Sequence, residues 1–186
     1  TSVVPQLEQL LRDLIGEPGN SPDFGPARLH PTAGAVAVGA RPFLIAYNIN
    51  LDSDDVDLAN RIARRVRESG GGLPYVQANG FWIEELGRAQ VSMNLLDFAT
   101  TPVWLVWDTV RDIAAEDGVA LAESELIGLA PLAAFLAVAD RADAPLDDPV
   151  GRRLAVAAEY LRLRDFSPMQ ALELRLEAAQ ASGSGR

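Results

Sequence analysis

The chain has 186 residues, 48% of them hydrophobic and 23% charged, which is enough for one globular domain with its own core. Its formal net charge of -10 argues against nucleic acid and anionic membrane surfaces as partners, because such a chain repels both. The chain contains no Cys, no Lys and a single histidine, His30. This excludes thiolate and Schiff-base chemistry and a multi-histidine metal site within one copy, so we expect no bound metal.

The sequence pattern of residues 1–42 predicts a short helix followed by a long loop. Apolar residues recur at helical spacing over 4–15, and Gly16 ends this helix. Seven Gly and Pro residues then fall between positions 16 and 31, which predicts irregular structure in the 19–42 segment. Ordered irregular segments of this length are more often binding loops than plain connectors. No secretion signal is visible, and we expect a cytoplasmic protein.

Residues 43–142 predict an α+β domain. Strand patterns occupy 43–51, 75–84, 88–98 and 119–129, with helical patterns after the first and third strands and a further helix at 131–142. Ser53 is the expected N-cap of the first helix, and Thr101 that of the second. The order βαββαβ is typical of a ferredoxin-like sandwich, in which both helices cover one face of an antiparallel sheet and leave the other free.

Residues 143–186 predict a helical extension of that domain. A linker rich in Asp and Pro leads into two helical segments, at about 150–164 and 168–181. The tail 182–186 is expected to be disordered.

Neutral amide and hydroxyl side chains concentrate on the strands at alternating positions. Alternation places the members of each of these groups on one side of their strand: Asn48 and Asn50; Gln77 and Asn79; Gln90, Ser92 and Asn94. If the strand registers align, one sheet face carries many hydrogen-bonding groups and few charges, which suits a heteroaromatic ligand or a polar seam against another domain. The alternative is that several of these residues simply face water at strand ends.

Several strings along the predicted strands and loop resemble one known family. They are PDFGP at 22–26, GA at 34–35, GAR at 39–41, FLIAYNINL at 43–51, VQ at 76–77 with Gly80, AQVSMNLLD at 89–97 and SELIGL at 124–129 with Pro131. In this order and spacing they resemble the C-terminal subdomain of glutamate formiminotransferase, which is also the transferase part of formiminotransferase-cyclodeaminase. The resemblance covers roughly residues 22–140.

The resemblance implies transfer of a formimino group from N-formiminoglutamate to tetrahydrofolate, the co-substrate, in histidine degradation. It also implies two similar subdomains with folate in a tunnel between them, and two folate-contacting stretches in this chain. The first stretch is Gly25, Pro26, Ala27, Arg28, Leu29, His30, Pro31, Thr32, Ala33 and Gly34. The second is Gly71, Gly72, Leu73, Pro74, Tyr75, Val76, Gln77, Ala78, Asn79 and Gly80.

The family's catalytic histidine lies in the N-terminal subdomain, so no catalytic residue is expected in this chain. The helix at 4–15 resembles the tail of that missing subdomain. We therefore expect either a fragment or one member of a split pair, with the N-terminal subdomain as its partner in cis or in trans. A homodimer through the free sheet face remains a further expectation.

Individual charged residues leave alternatives open. Arg41 can pair with a substrate carboxylate, or it can be structural and tie the loop to the first strand. His30 is either structural or exposed, or it contacts the ligand within the loop. Glu123 and Glu125 share one face of the fourth strand, as a paired-carboxylate site would require, but Glu125 can equally bond a loop or the missing subdomain.

Two functions follow from these expectations. The first is the folate-binding half of a formiminotransferase, active only together with its N-terminal partner. The second is a non-catalytic module that binds folate or a protein partner. A neighbouring N-terminal subdomain that carries a histidine would favour the first function.

Overall fold

A computed structural model of the chain describes residues 22–26, 30–34, 36, 38, 40 and 42–183. These residues fall into two units that divide between Ala40 and Arg41. Several predictions fall outside the described residues: the helix at 4–15, part of the first folate-contacting stretch (Ala27, Arg28 and Leu29), and Arg41.

The second unit is built on a four-stranded antiparallel sheet. Its strands are β1 (Ile45–Leu51), β2 (Val76–Ile83), β3 (Arg88–Leu95) and β4 (Leu121–Ile127), in the spatial order β2-β3-β1-β4. Helices α1 (Val56–Val66) and α2 (Val103–Glu116) connect β1 to β2 and β3 to β4. The βαββαβ order and this strand order confirm the predicted ferredoxin-like sandwich.

Apolar side chains on one face of the sheet pack under the helices. Ile45, Tyr47 and Ile49 of β1 are fully buried on this face. On α1 the buried positions are Leu58, Ala59, Ile62, Ala63 and Val66. On α2 they are Val103, Val106, Trp107, Asp108, Val110, Ile113 and Ala114. The hydrophobic core therefore lies between the sheet and these two helices, and it continues into the helices that follow the sheet, where Phe135 and Leu154 are also buried.

The two helices begin differently from the sequence prediction. Ser53 does not cap α1: Asp55 is the N-cap, and its carboxylate accepts from the backbone N–H of Leu58 at 2.9 Å. The Ser53 hydroxyl instead accepts from the N–H of Asp55. Thr101 is also not a cap, because its buried hydroxyl donates to the carbonyl of Pro74 at 2.6 Å, and α2 starts without a side-chain cap. Thr101 thus fixes the backbone just before β2.

Three further helices follow the sheet: α3 (Leu132–Arg141), α4 (Val150–Tyr160) and α5 (Leu172–Gly183). The predicted helix at 150–164 is wrong beyond Tyr160, where Arg162 takes a left-handed φ of 50°. Helix α5 ends at Gly183, two residues into the 182–186 segment for which disorder was predicted. No helix in the described part of the chain is long and apolar enough to span a bilayer.

Residues after Tyr160 extend the sheet. The backbone N–H of Ser124 donates to the carbonyl of Arg162 at 2.9 Å, and the N–H of Arg164 donates to the carbonyl of Ser124 at 3.0 Å. Leu163 therefore pairs with Ser124 in a parallel bridge along the outer edge of β4. This pairing covers an edge that would otherwise expose unpaired backbone groups.

Candidate functional site

The sheet face opposite α1 and α2 carries polar side chains in rows that cross all four strands. The strand registers align three rows: Gln77, Asn94, Ala46 and Ile127; Asn79, Ser92, Asn48 and Glu125; Phe81, Gln90, Asn50 and Glu123. We call this surface the amide face. All seven amide and hydroxyl residues expected on one face share it, so that prediction from strand alternation is confirmed.

One row of the amide face is satisfied internally. Gln90 donates from Nε2 to Oδ1 of Asn50 at 2.8 Å, and Asn50 donates from Nδ2 to Oε1 of Glu123 at 3.3 Å. Asn50 is 0% exposed and Gln90 5% exposed, so neither faces water as the alternative interpretation required. These two amides therefore form hydrogen bonds within the sheet.

The remaining amide and hydroxyl groups are available. Asn48, Ser92 and Asn94 are half-buried, whereas Gln77 and Asn79 are exposed. None of these five side chains makes a hydrogen bond with another residue of the described ranges. Amides offer both hydrogen-bond donors and acceptors, so this part of the face can bind a ligand that also presents both.

A cation from the C-terminal extension reaches the β4 end of the amide face. The guanidinium of Arg164 lies 3.5 Å from the Glu123 carboxylate and 3.3 Å from that of Glu125. Glu125 therefore bonds a loop of this chain, which was one of the two alternatives for it. Arg164 was not predicted to lie at this site, because its segment has a helical pattern. The alternation of Leu161 and Leu163 with arginines was the signal for a strand.

The opposite end of the face opens into a cleft at the outer edge of β2. The cleft has a volume of about 490 Å³, and its lining includes Arg67, Gln77 and Asn79. Arg67 is half-buried and makes no ion pair with any residue that the structure describes. Its Nε atom is buried without a hydrogen-bond partner. Among the described residues, the guanidinium of Arg67 thus has no ion-pair partner and lies beside the amides of Gln77 and Asn79, in a cleft that the carboxylate of Glu68 also lines.

The second predicted folate-contacting stretch divides between surface and core. Gln77 and Asn79 reach the amide face, while Val76 and Ala78 alternate into the core. Tyr75 precedes them with a left-handed φ of 60°. The structure thus places two side chains of this stretch, together with the cleft, where a ligand has access to them.

The described part of the first predicted stretch lies in the first unit. His30 and Gly34 exchange two backbone hydrogen bonds of 3.1 Å around a turn. The ring Nδ1 of His30 accepts from the backbone N–H of Ala33 at 3.1 Å and from that of Thr32 at 3.3 Å. This exposed ring therefore stabilises its own turn. Gly34, with a φ of 67°, supplies the left-handed residue that closes the turn.

A second cleft, of about 580 Å³, lies on the helical side, lined in part by Trp107, Arg111 and Tyr160. Behind it, the carboxylate of Asp108 accepts from Arg111 at 2.8 Å and from Tyr160 at 2.9 Å. Arg141 also donates to Asp108, at 3.3 Å. Burial, followed by the bond to Asp108, raises the pKa of Tyr160. This network ties α2, α3 and α4 together, and its polar groups are already paired.

No cluster of three or more metal-binding side chains occurs among the residues that the structure describes. The amide face, flanked by Glu125 with Arg164 at one end and by Arg67 at the other, is therefore the candidate site. Its chemistry is suited to recognition by hydrogen bonds. The described residues of this face bring no histidine into it.

Known proteins resemble this chain in sequence. The family model for the formiminotransferase domain, a description of the sequences in that family, matches residues 46–168 of this chain. The glutamate formimidoyltransferase of Streptococcus pyogenes is 45% identical over 120 residues, which cover 64% of this chain and 40% of that protein. The glutamate formimidoyltransferase of Thermoplasma acidophilum is 36% identical over 174 residues, which cover 94% of this chain and 51% of that protein.

Longer proteins match the same region. The formimidoyltransferase-cyclodeaminase of Rattus norvegicus is 46% identical over 121 residues, which cover 62% of this chain but 22% of that protein. The chain thus spans about half the length, or less, of these relatives. With the ferredoxin-like sandwich, the amide face and a family match that covers most of the sheet, the chain belongs to the formiminotransferase-domain family.

Proposed function

We propose that this chain is the folate-binding half of a glutamate formiminotransferase. The whole enzyme moves the formimino group of N-formimino-L-glutamate to tetrahydrofolate, in histidine degradation. The observation that carries the proposal is the amide face, where five amide or hydroxyl side chains stand without hydrogen-bond partners in the described ranges. The pterin ring of a folate presents both N–H donors and N and O acceptors, which neutral amides match. Asn48, Ser92 and Asn79 form a straight row for such a ring.

The proposed chemistry is attack of N5 of tetrahydrofolate on the formimino carbon. This bond forms a tetrahedral intermediate, and the bond from that carbon to the glutamate nitrogen then breaks. The glutamate amine leaves with a proton, and the proton from N5 is removed. These transfers need an acid–base group with a pKa near neutrality, which His supplies best.

Such a group is not assigned to this chain. His30 is the only histidine in the sequence, and its Nδ1 already accepts backbone hydrogen bonds in its own turn. We propose that the catalytic histidine lies in an N-terminal subdomain, joined in cis or bound in trans. This chain then contributes to catalysis by positioning the substrates. Holding two substrates in the correct relative orientation removes a large part of the entropy barrier to a transfer between them.

Two further assignments belong to the same proposal. The stretches Gly25–Gly34 and Gly71–Gly80 contact the folate, and Arg41 binds a substrate carboxylate. The location of Gln77 and Asn79 beside the cleft supports the second stretch. The sheet face would lie against the N-terminal subdomain, with folate between the two.

The test is a transfer assay on the chain alone and on the chain mixed with a separately produced N-terminal subdomain of a full-length relative. We expect no turnover by the chain alone and measurable formimino transfer by the mixture. The double variant Gln77→Ala/Asn79→Ala should raise the KM for tetrahydrofolate about tenfold in the mixture, since each lost hydrogen bond to a ligand is worth roughly 0.5–1.5 kcal/mol. Gln180→Ala on α5, which removes an amide outside the face, is the control.

The outcomes separate the candidate functions. Turnover by the purified chain alone would contradict the division of labour. Folate binding without transfer in the mixture would instead favour a non-catalytic folate-binding module. An unchanged KM in the double variant would remove Gln77 and Asn79 from the site.

A further inference from the structure

The amide face is electrically asymmetric. Its β4 end carries the carboxylates of Glu123 and Glu125, with one guanidinium, that of Arg164, between them. Its β2 end opens into the cleft of Arg67, which makes no ion pair in the described ranges. The β4 end therefore retains a net negative charge. The cleft at the β2 end is also lined by Glu68, but that carboxylate accepts from the backbone N–H of Tyr75 at 3.1 Å, so Arg67 supplies the charge that has no partner in the described ranges. A ligand whose two ends differ in charge should therefore bind in one orientation between the β4 end and the β2 end of the face.

The Glu125 carboxylate is oriented by Arg164 and keeps positions that can accept further hydrogen bonds. One of its carboxylate oxygens, Oε2, pairs with Arg164 at 3.3 Å. Arg164 is itself fixed, because its backbone N–H is bonded to Ser124 at the edge of β4. Glu125 lies in one row with Asn48, Ser92 and Asn79, whose side chains have no hydrogen-bond partner within the described ranges, so its remaining acceptor positions border the space where the proposed ligand would lie.

The two ends of a folate have opposite chemistry. The pyrimidine edge of the pterin presents a ring N–H and an amino group side by side, two donors that fit one carboxylate in the way a guanidinium does. The other end carries the carboxylates of the glutamate, which repel Glu123 and Glu125 but pair with an arginine.

The distance between the two ends of the face suits such a molecule. Asn79 and Glu125 are separated by three strand spacings, or about 14 Å at the usual 4.7–4.9 Å per strand. The cleft of Arg67 lies beyond Asn79, at the outer edge of β2. An extended folate is long enough to place its ring near Glu125 and its glutamate in the cleft.

We propose that the ligand lies across the strands in one direction, with the amino-pyrimidine edge of its pterin on Glu125 and its glutamate carboxylates on Arg67. This inference rests on the proposed folate-binding function. It assigns Arg164 as a positioning residue that fixes Glu125, and Arg67 as the residue that selects for a charged tail. The C-terminal extension thereby contributes to the site through Arg164.

The experiment measures the Kd of two ligands by titration calorimetry on the full chain. One ligand is 5-formyltetrahydrofolate, and the other is its analogue with the glutamate replaced by an uncharged methylamide. Arg67→Gln should weaken the charged ligand about tenfold and leave the analogue within about twofold, as loss of a charge-assisted hydrogen bond predicts. Glu125→Gln should weaken both ligands by a similar factor. Arg175→Gln, which removes an exposed arginine on α5, should change neither.

Each result supports or overturns the proposed direction. A loss for both ligands in Arg67→Gln, or tighter binding of the charged ligand in Glu125→Gln, would overturn it. If the unmodified chain binds neither ligand, the proposed folate-binding function fails as well, and so the two failures are distinguishable. Should Glu125→Gln not fold, Glu125→Asp keeps the charge beside Arg164, withdraws the carboxylate and should likewise weaken both ligands.

Discussion

Tyr47 carries a phenol into the core, where its side chain is 0% exposed. Burial raises the pKa of Tyr47 well above its usual value of 10.0, an effect that the neighbouring Ser124 hydroxyl offsets only in part. The chain has no Lys and no Cys, so tyrosines are the side chains that lose a proton near pH 10 once the chain is unfolded. The alkaline limit of stability therefore depends on these residues.

The first prediction is that stability falls above about pH 10 and that Tyr47→Phe reduces the fall. A raised pKa in the folded state gives stability that is fully present below the unfolded value and lost as the pH rises, because the unfolded chain releases its proton first. One such tyrosine contributes a slope of about 1.4 kcal/mol per pH unit. Urea unfolding at pH 8, 10 and 11 measures the slope.

The control for this prediction is Tyr75→Phe, because Tyr75 is exposed at the surface. This variant should keep the slope of the unmodified chain. An equally steep loss of stability in Tyr47→Phe would show that Tyr47 does not govern the alkaline limit. Tyr160, whose pKa is also raised by burial, accounts for part of the slope that remains.

Strand β2 lies unusually close to helix α1 at Gly80. A Cβ atom added to Gly80 would lie 2.4 Å from the backbone N of Asn60, closer than any real Cβ contact. The side chain of Asn60 uses the same proximity, since its Oδ1 accepts from the N–H of Gly80 at 3.2 Å. This contact sets the position of β2, and hence of Gln77 and Asn79.

We predict that Gly80→Ala lowers the free energy of unfolding by about 1–3 kcal/mol, the usual effect of overpacking a core. Because the neighbouring atoms belong to the backbone of α1, they cannot move aside as a flexible side chain would. Thermal or urea unfolding measures the loss. The matched control is Gly151→Ala in α4, where a new Cβ meets nothing within 4 Å and should be neutral or slightly stabilising. Equal stability of the two variants would contradict this account of the β2–α1 contact.

Local sequence patterns predicted the regular elements and part of the site. Alternation placed Gln77 and Asn79 on one side of their strand, because residue spacing alone determines which side of a strand a residue takes, whereas their alignment with Asn48 depended on the strand register. The pattern could not tell that Asn50 is paired whereas Asn48 has no hydrogen-bond partner in the described part of the chain, since this depends on the neighbour in another strand. Arg164 was missed for the same reason: its partner strand lies some forty residues earlier in the sequence, and the preceding helix favoured a local interpretation.

The C-terminal extension contributes both buried core residues and backbone pairing to the fold. Leu161 is buried in the core, and residues 162–164 pair with the edge of β4. Ala171, also buried, pairs with Ala130 in a second parallel bridge, and the Leu132 N–H donates to Glu173. In contrast, the residues of α5 from Arg175 to Ser182 are exposed. The extension is therefore part of the fold up to about the first turn of α5.

We predict that two truncations of the extension have very different effects. Deletion of residues 178–186 removes exposed helix and should leave the thermal midpoint nearly unchanged. Deletion of residues 161–186 exposes the β4 edge, removes Leu161 from the core and leaves Glu123 and Glu125 without Arg164. Loss of a buried leucine alone lowers stability by about 2–5 kcal/mol, so this chain should be largely unfolded or much less stable. Circular dichroism melting of both truncations measures the difference. A long truncation that melts with the unmodified chain would show that the sheet is complete without the 162–164 segment, and that Arg164 is dispensable to the amide face.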